Sequence, residues 1–321
     1  MGNRSISTAQ QPMFENPFCI EDLRVFDEET LQHVLSNAQA GITLETLACA
    51  LHGRPATVIT QLERLMTPAQ QCYFAQMLHR PYANEQIERA CSTILDQLFW
   101  ELTYWKTPEL YEALTEGERL HPGIFQYLEA DVRSRVVLDA GAGSGRATIE
   151  CLRYGASRVY AVEPSPGLLR ILRRKLSRWE AEQRVIPRRG RFEALPLNDQ
   201  SVDVALSCSA FTANAEQGGE PGLRELLRVT KTGGKIVLIW PRSEDRVWLE
   251  ARGFRYVFLP VEREMKVYFP SMHKALFCAH RFYAHNPAVA RYLLTTGRPE
   301  VSFSLIGVES PHYYCWLQVS H

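Results

Sequence analysis

Apolar residues follow two different rhythms along this chain. Up to about residue 130 they recur at helical spacing. Leu31, Val34, Leu35 and Ala38 share one face, and Leu44, Leu47, Ala48 and Leu51 form a second stripe behind Thr43, a good N-cap. Gly53 ends that helix and Pro55 opens another, which bears Val58, Ile59, Leu62 and Leu65. Two short helices joined by a tight glycine turn predict a helix-turn-helix or winged-helix-like module. Ile87 to Tyr104 reads as one longer amphipathic helix, and Thr107 to Leu128 as further short helices. Residues 1–20 are polar, contain Pro12 and Pro17, and read as a loose leader.

After Val132 the rhythm changes. Short apolar runs at 135–141, 158–164, 185–186, 202–211, 234–241, 253–260 and 313–319 predict buried strands. Amphipathic stretches separate most of them, at 147–155, 166–176, 222–230 and 271–284. Such alternation is the mark of βαβ units and a parallel sheet, hence an α/β fold. The expected division is a leader over 1–20, a helical module over 21–118 and an α/β domain over 119–321.

Composition narrows the picture. With 321 residues, 45% hydrophobic and 22% charged, the chain can bury a full core, which excludes disordered and collagen-like classes. The best apolar run, Ile236 to Trp240, is far too short for a membrane span, and the first residues lack the apolar segment of a secretion signal. Lys and Arg match Asp and Glu at 36 each. Their distribution is uneven: residues 1–130 hold 8 basic and 17 acidic side chains, a balance of −9, and the remainder carries +9. An acidic helix-turn-helix is a poor reader of DNA, because affinity comes from neutralising phosphates. By analogy with the family that the motifs after Val132 resemble, dimerisation or roofing a substrate pocket is the expected role, and a homodimer through this module is expected.

Eight cysteines at 19, 49, 72, 91, 151, 208, 278 and 315 include no Cys-x-x-Cys pair. They read as reduced, mostly buried thiols of a cytoplasmic protein. His280 and His285 are not spaced as a helical ligand pair, and no metal site is expected. The basic run from Arg170 to Arg191 has only Trp179 among its arginines, so a solvated helix face is preferred over an RNA surface.

The sharpest motif is Leu138-Asp139-Ala140-Gly141-Ala142-Gly143-Ser144-Gly145-Arg146-Ala147-Thr148, where a buried strand runs into a glycine-rich turn and then a helix. Glycines there let the backbone turn tightly beside a ligand. The dinucleotide spacing G-x-G-x-x-G is missing: the sixth position is Arg146 counted from Gly141 and Thr148 counted from Gly143. A carboxylate just before the turn repels phosphate and suits a ligand with an ammonium and a sulfonium. Asp139 therefore favours S-adenosylmethionine over NAD. Glu163 ends the second strand 24 residues on, where it can accept from both ribose hydroxyls.

Two more blocks follow, residues 191–206 and 226–239. With these four ordered blocks the chain resembles the class I S-adenosylmethionine-dependent methyltransferases of small-molecule type, over about 119–260 plus the terminal strand. The resemblance implies a Rossmann-like seven-stranded sheet whose last strand is antiparallel. It places Asp139, Gly141, Ala142 and Gly143 at the methionine and ribose end of the cofactor and Glu163 on the ribose. Pro164 would flank the adenine, with Phe192 offering it backbone. Ser207 and Cys208 would face the methyl group. One departure concerns Arg191, where the family often has an Asp for the adenine amino group; Glu193 is the candidate replacement.

Methyl transfer from a sulfonium is an in-line displacement that chiefly needs alignment, so no motif names a catalytic base. In similar enzymes the segment before the first strand covers the cofactor. Here it holds Tyr104, Trp105, Glu109, Tyr111 and His121, of which Tyr104, Tyr111 and His121 are the candidates for a catalytic role; the blander reading makes the aromatics core and His121 a loop residue. Tyr104, Trp105, Phe211, Phe269, Phe282 and Tyr313 suggest an aromatic or apolar small-molecule acceptor. Two alternatives stay open: a cofactor-binding regulator without catalysis, and a thiol-dependent metalloid methyltransferase using Cys208, Cys278 and Cys315.

Overall fold

The computed structural model describes residues 16–36 and 42–320. Ala38 and positions 1–15 of the expected leader lie outside them; Phe18 and Ile20, within that leader, are buried. Two compact units divide the chain. One joins residues up to Leu102 with Tyr268–Ile306, the other Thr103–Val267 with Gly307–His321.

Up to Val132 every described element is helical. Thr43 caps Leu44–Ala50, its hydroxyl accepting from the Thr46 N–H at 3.1 Å. Helix Ala56–Glu63 follows, burying Val58 and Leu62. The stretch expected to be one helix from Ile87 to Tyr104 is two, Asn84–Gln97 and Phe99–Lys106, because Leu98 leaves helical geometry at φ −95° and ψ 13°.

The units are drawn differently from the sequence boundaries. Residues 268–306, assigned by position to the α/β part, group with the helices. Aromatic packing supplies a reason: the Phe282 ring, from helix Met272–Phe282, stacks on Trp100 at 5.6 Å and meets Phe99 edge-on at 6.1 Å. A second helix, Pro287–Thr296, buries Val289 and Leu293. The start of the α/β unit also moves, from 119 back to Thr103.

That unit contains all seven predicted strands of the main sheet. They are β1 (Val136–Ala140), β2 (Arg158–Val162), β3 (Val185–Arg188), β4 (Val202–Cys208), β5 (Thr230–Ile239), β6 (Arg255–Phe258) and β9 (Tyr313–Gln318). A separate pair, β7 (Lys266–Tyr268) and β8 (Glu300–Ser302), makes a two-stranded sheet that periodicity does not announce. The main order is β3-β2-β1-β4-β5-β9-β6. β9 runs antiparallel to both neighbours, and the other pairings are parallel.

Residues alternate across the sheet, as β geometry demands. Val137, Val159, Val204 and Val237 share one buried cluster with helices Gly123–Val132 and Arg146–Arg153; Leu138, Ala205, Ile236 and Leu238 share the other with helix Gly219–Val229. A sheet covered on both faces explains why its strands read as continuous apolar runs. It also leaves the carboxyl ends of β1, β2 and β4 as the place where ligand chemistry collects.

Candidate functional site

β1 ends beside Asp139, which is 1% exposed. Its Oδ2 accepts from the Thr148 hydroxyl at 2.5 Å, across the first turn of helix Arg146–Arg153. Its Oδ1 is buried with no hydrogen-bond partner among the described residues. Burial raises its pKa to about 6, against the pull of Thr148. A buried carboxylate oxygen left unpaired is costly unless something else satisfies it.

The following turn has Gly141 at φ +70°, Gly143 at φ +55° and Gly145 at φ +97°. At Gly141 space matters as much as dihedral: a Cβ there would stand 2.6 Å from the Ala210 methyl and 3.1 Å from the Phe192 ring. The Gly141 and Ala142 N–H groups both donate to the Val162 carbonyl, at 2.9 and 3.0 Å. That ties the turn to the end of β2, where Glu163 follows.

Glu163 is also buried. Its Oε2 accepts from the Gly143 N–H and its Oε1 from the Ser165 N–H, both at 2.9 Å. Burial outweighs these bonds and lifts its pKa to about 7. Ser165 extends the chain of contacts. Its hydroxyl donates to the Tyr104 carbonyl at 2.7 Å and accepts from the Leu168 N–H at the start of helix Pro166–Ala181.

The segment before β1 closes the crevice from above. The Tyr111 ring stands 3.7 Å from where a Gly143 Cβ would be, and meets Tyr104 edge-on at 4.9 Å. Burial pushes the Tyr111 phenol up to about 12. Two ion pairs hold its helix, Pro108–Thr115, to helix Pro166–Ala181: Lys175 with Glu112 at 2.5 Å and Arg170 with Glu109 at 2.9 Å. What remains beneath is a cavity of about 20 Å³. Tyr111, Thr115, Asp139, Gly141 to Ser144, Arg146, Ala147 and Cys208 line it.

The structure thus gathers six of the sequence candidates around one cavity: Tyr111, Asp139, Gly141, Ala142, Gly143 and Cys208. Glu163 joins through Gly143, and Phe192 through Gly141 and its edge-on contact with Phe211 at 5.3 Å. Ser207 is buried on β4 with its hydroxyl unpartnered among the described residues. Burial raises the Cys208 thiol to about 11. Pro164 is half-buried, its carbonyl accepting from Arg189 at 3.2 Å. Glu193 is half-buried in the turn closed by the Arg191–Ala194 bridge.

Other candidates fall elsewhere. Tyr104 does not line the cavity; it braces Tyr111 and Ser165. His121 shapes the start of helix Gly123–Val132: its Nδ1 accepts from the Gly123 N–H at 3.1 Å, and its own N–H donates to the Pro311 carbonyl at 2.8 Å. Phe269 and Phe282 belong to the helical unit, and Tyr313 donates its hydroxyl to the Pro241 carbonyl at 2.8 Å. Much of the basic run is bound internally. Arg188 and Arg189 lie over the Tyr160 and Trp105 rings, and Arg178 pairs with Glu182. Sequence reasoning passed over Thr148, Arg146 and Glu118. Arg146 stood inside the motif, but nothing local says where its side chain turns.

Asp139, Glu163, the glycine turn and Ser207 are a donor set suited to a cationic nucleoside. The unpaired Asp139 and Ser207 oxygens await hydrogen-bond donors, and the Gly141 cradle allows backbone-close approach.

Comparison with known proteins agrees with this chemistry. Residues 137–234 match the family described as methyltransferase domain. An uncharacterized methyltransferase-like protein of Schizosaccharomyces pombe is 33% identical over 116 residues, 36% of this chain and 42% of that protein. The malonyl-[acyl-carrier protein] O-methyltransferase of Yersinia pestis is 31% identical over 157 residues, 49% of this chain and 54% of that one. The chain therefore spans about half the length of these curated relatives. A solved structure of a putative methyltransferase from Bacillus halodurans superposes with a TM-score of 0.43 at 14% identity, covering 62% of this chain and 98% of that one.

Proposed function

We propose that this chain, whose residues 137–234 match a methyltransferase-domain family, is a class I S-adenosylmethionine-dependent enzyme that transfers a methyl group to a small-molecule acceptor by in-line displacement. The observation that carries the reading is Asp139: a buried carboxylate at a strand tip, with one oxygen unpaired, facing a glycine turn rather than a phosphate cradle.

S-adenosylmethionine, the cofactor of this domain, supplies a methyl group already activated on a sulfonium. The protein's own tasks are to bind, orient and keep water out. Asp139 would take the ammonium end, and Glu163, fixed by two backbone N–H groups, would accept from the ribose hydroxyls. Ser207 and Cys208, at the end of β4, would border the reacting methyl. Tyr111 would close over the pair and exclude solvent, which lets alignment supply much of the rate. Tyr111, which lines the cavity, and Trp240, beside Arg146, support an apolar or aromatic acceptor. No base is assigned: burial raises both Tyr111 and Cys208, which keeps them protonated near neutrality.

Calorimetry tests the binding half. S-adenosylmethionine should bind in the micromolar range or tighter and NAD should not; saturation by NAD alone would overturn the reading. Release of S-adenosylhomocysteine with an aromatic acceptor tests the rest. The alternative is a cofactor-binding regulator without catalysis; tight cofactor binding with no turnover across a broad acceptor panel would select it.

A further inference from the structure

The cavity holds two opposite charges that the motif does not explain together. Asp139 supplies a carboxylate with a free oxygen, and Arg146, four residues beyond Ala142, supplies a guanidinium. Both line the same small space, near enough for Arg146 to favour the ionised form of Asp139. A carboxylate and a guanidinium side by side are the complement of a zwitterionic amino-acid group, one for its ammonium and one for its carboxylate.

Arg146 is already engaged. Its Nη1 donates to the Glu118 carbonyl at 3.2 Å and its Nη2 to the Glu118 Oε2 at 3.4 Å. The two side chains are 20% and 14% exposed, so the pair is largely shielded from water. The Trp240 ring lies 5.9 Å from the guanidinium, and the Tyr111 hydroxyl is beside it. Glu118 lies just past helix Pro108–Thr115, on the same segment as Tyr111. The long 3.4 Å ion-pair contact is the one that a better-placed carboxylate can replace.

We propose that Glu118 is an internal stand-in for the ligand's carboxylate: Arg146 holds Glu118 while the crevice is closed and exchanges it for the carboxylate of the cofactor's amino-acid end when the crevice fills. The inference rests on the methyltransferase reading and adds to it a selectivity residue and a competing latch. Arg146 reads the carboxylate, Asp139 the ammonium, and Glu118 competes with the ligand's carboxylate for the guanidinium. Removing Glu118's charge therefore strengthens ligands that have a carboxylate. Ligands without one leave the Arg146–Glu118 pair in place and gain nothing.

The test is calorimetric and needs no turnover. Affinities of S-adenosylmethionine and of its decarboxylated analogue are measured on the full chain. The unaltered protein should prefer the carboxylated ligand by about tenfold or more, the worth of one charge-assisted hydrogen bond. Arg146→Leu should bring that ratio close to one, with Arg146→Gln as the second variant should the first fail to fold. Glu118→Gln should widen the ratio by strengthening S-adenosylmethionine alone. A ratio unchanged in the Arg146 variants, or a Glu118→Gln protein that weakens both ligands equally, would overturn the exchange. If the unaltered protein binds both ligands equally, this inference fails and the methyltransferase reading stands. If it binds neither, the reading itself falls.

Discussion

Two pairs of carboxylates in the α/β unit make opposite statements. Asp203 and Glu225 are held by cations and backbone. Asp203 accepts from the Val136 N–H and from Lys231, both at 2.8 Å. Glu225 takes a two-pronged contact from Arg228 and also accepts from the Leu195 N–H at 2.9 Å. The Arg228 bonds hold Glu225 below the usual carboxylate range; at Asp203 partial burial opposes, but Lys231 and the Val136 N–H prevail. Asp139 and Glu163 make no ion pair among the described residues and sit in low dielectric; Arg146 and Arg191 pull the other way from a distance, but burial prevails and drives both up. The first pair is complete and serves the fold. The second is incomplete and costs the fold, which is what a prepared ligand site does.

The contrast is broken most directly by Asp139→Asn. Affinity for S-adenosylmethionine should fall by about 2–3 kcal/mol, roughly 30- to 150-fold, the cost of one charge-assisted contact in a buried site. The melting temperature at pH 8 should stay level or rise, because a buried unpaired charge has been removed. Unimpaired binding, or a large fall in melting temperature, would place Asp139 with the structural pair.

Next in size is the effect of pH. With Asp139 near 6 and Glu163 near 7, acidification from pH 8 protonates first the carboxylate that accepts from the ribose and then the one that receives the ammonium. Affinity should therefore fall by up to about tenfold per unit between pH 7 and 6 and by up to about a hundredfold per unit below both values. Stability has the reverse sign for this pair. Their raised values burden the fold at neutral and higher pH, and that burden lifts as pH falls through 7 towards 4. Asp203 and Glu225, lowered, stabilise above the ordinary carboxylate range and lose that contribution as pH falls below it. Denaturant titrations across pH 2 to 8, taken as differences between the unaltered protein and the Asp139→Asn and Asp203→Ala proteins, should show the two opposite slopes, Asp139 between pH 7 and 4 and Asp203 below pH 4.

A smaller effect is expected from Asp203→Ala itself. Losing the partner of the Val136 N–H and of Lys231 should cost about 1–2 kcal/mol of stability and leave cofactor affinity unchanged. The smallest belongs to Cys208→Ser. Its raised thiol lines the cavity without a cluster around it: among the described residues no three His, Cys, Asp or Glu side chains gather as a metal site. Cofactor affinity should change by less than about threefold, within the error of a single neutral contact. A loss of metalloid-dependent turnover in this variant would instead revive the thiol-dependent alternative.

Much of this was legible before any coordinates. The seven strands announced themselves as apolar runs because each is covered on both faces, and Asp139 and Glu163 stood where β1 and β2 run out. The break at Leu98 was missed because the apolar face of Asn84–Gln97 continues into Phe99, and periodicity cannot see a local dihedral. Phe269 and Phe282 read as part of an aromatic supply for the acceptor, whereas Phe282 packs on Phe99 and Trp100 and Phe269 falls in the same helical unit.

The amino-acid order by itself determined what is local: strand and helix periods, the glycine turn, and the acidic residue at the tip of each strand. Those depend on neighbours within a few positions, and so they survive reading in one dimension. Only the tertiary structure decided that β9 enters between β5 and β6, that Asp139 keeps one oxygen unpaired, and that Arg146 reaches back to Glu118. Each depends on groups far apart in the chain, where burial and mutual approach, not spacing, set the energy.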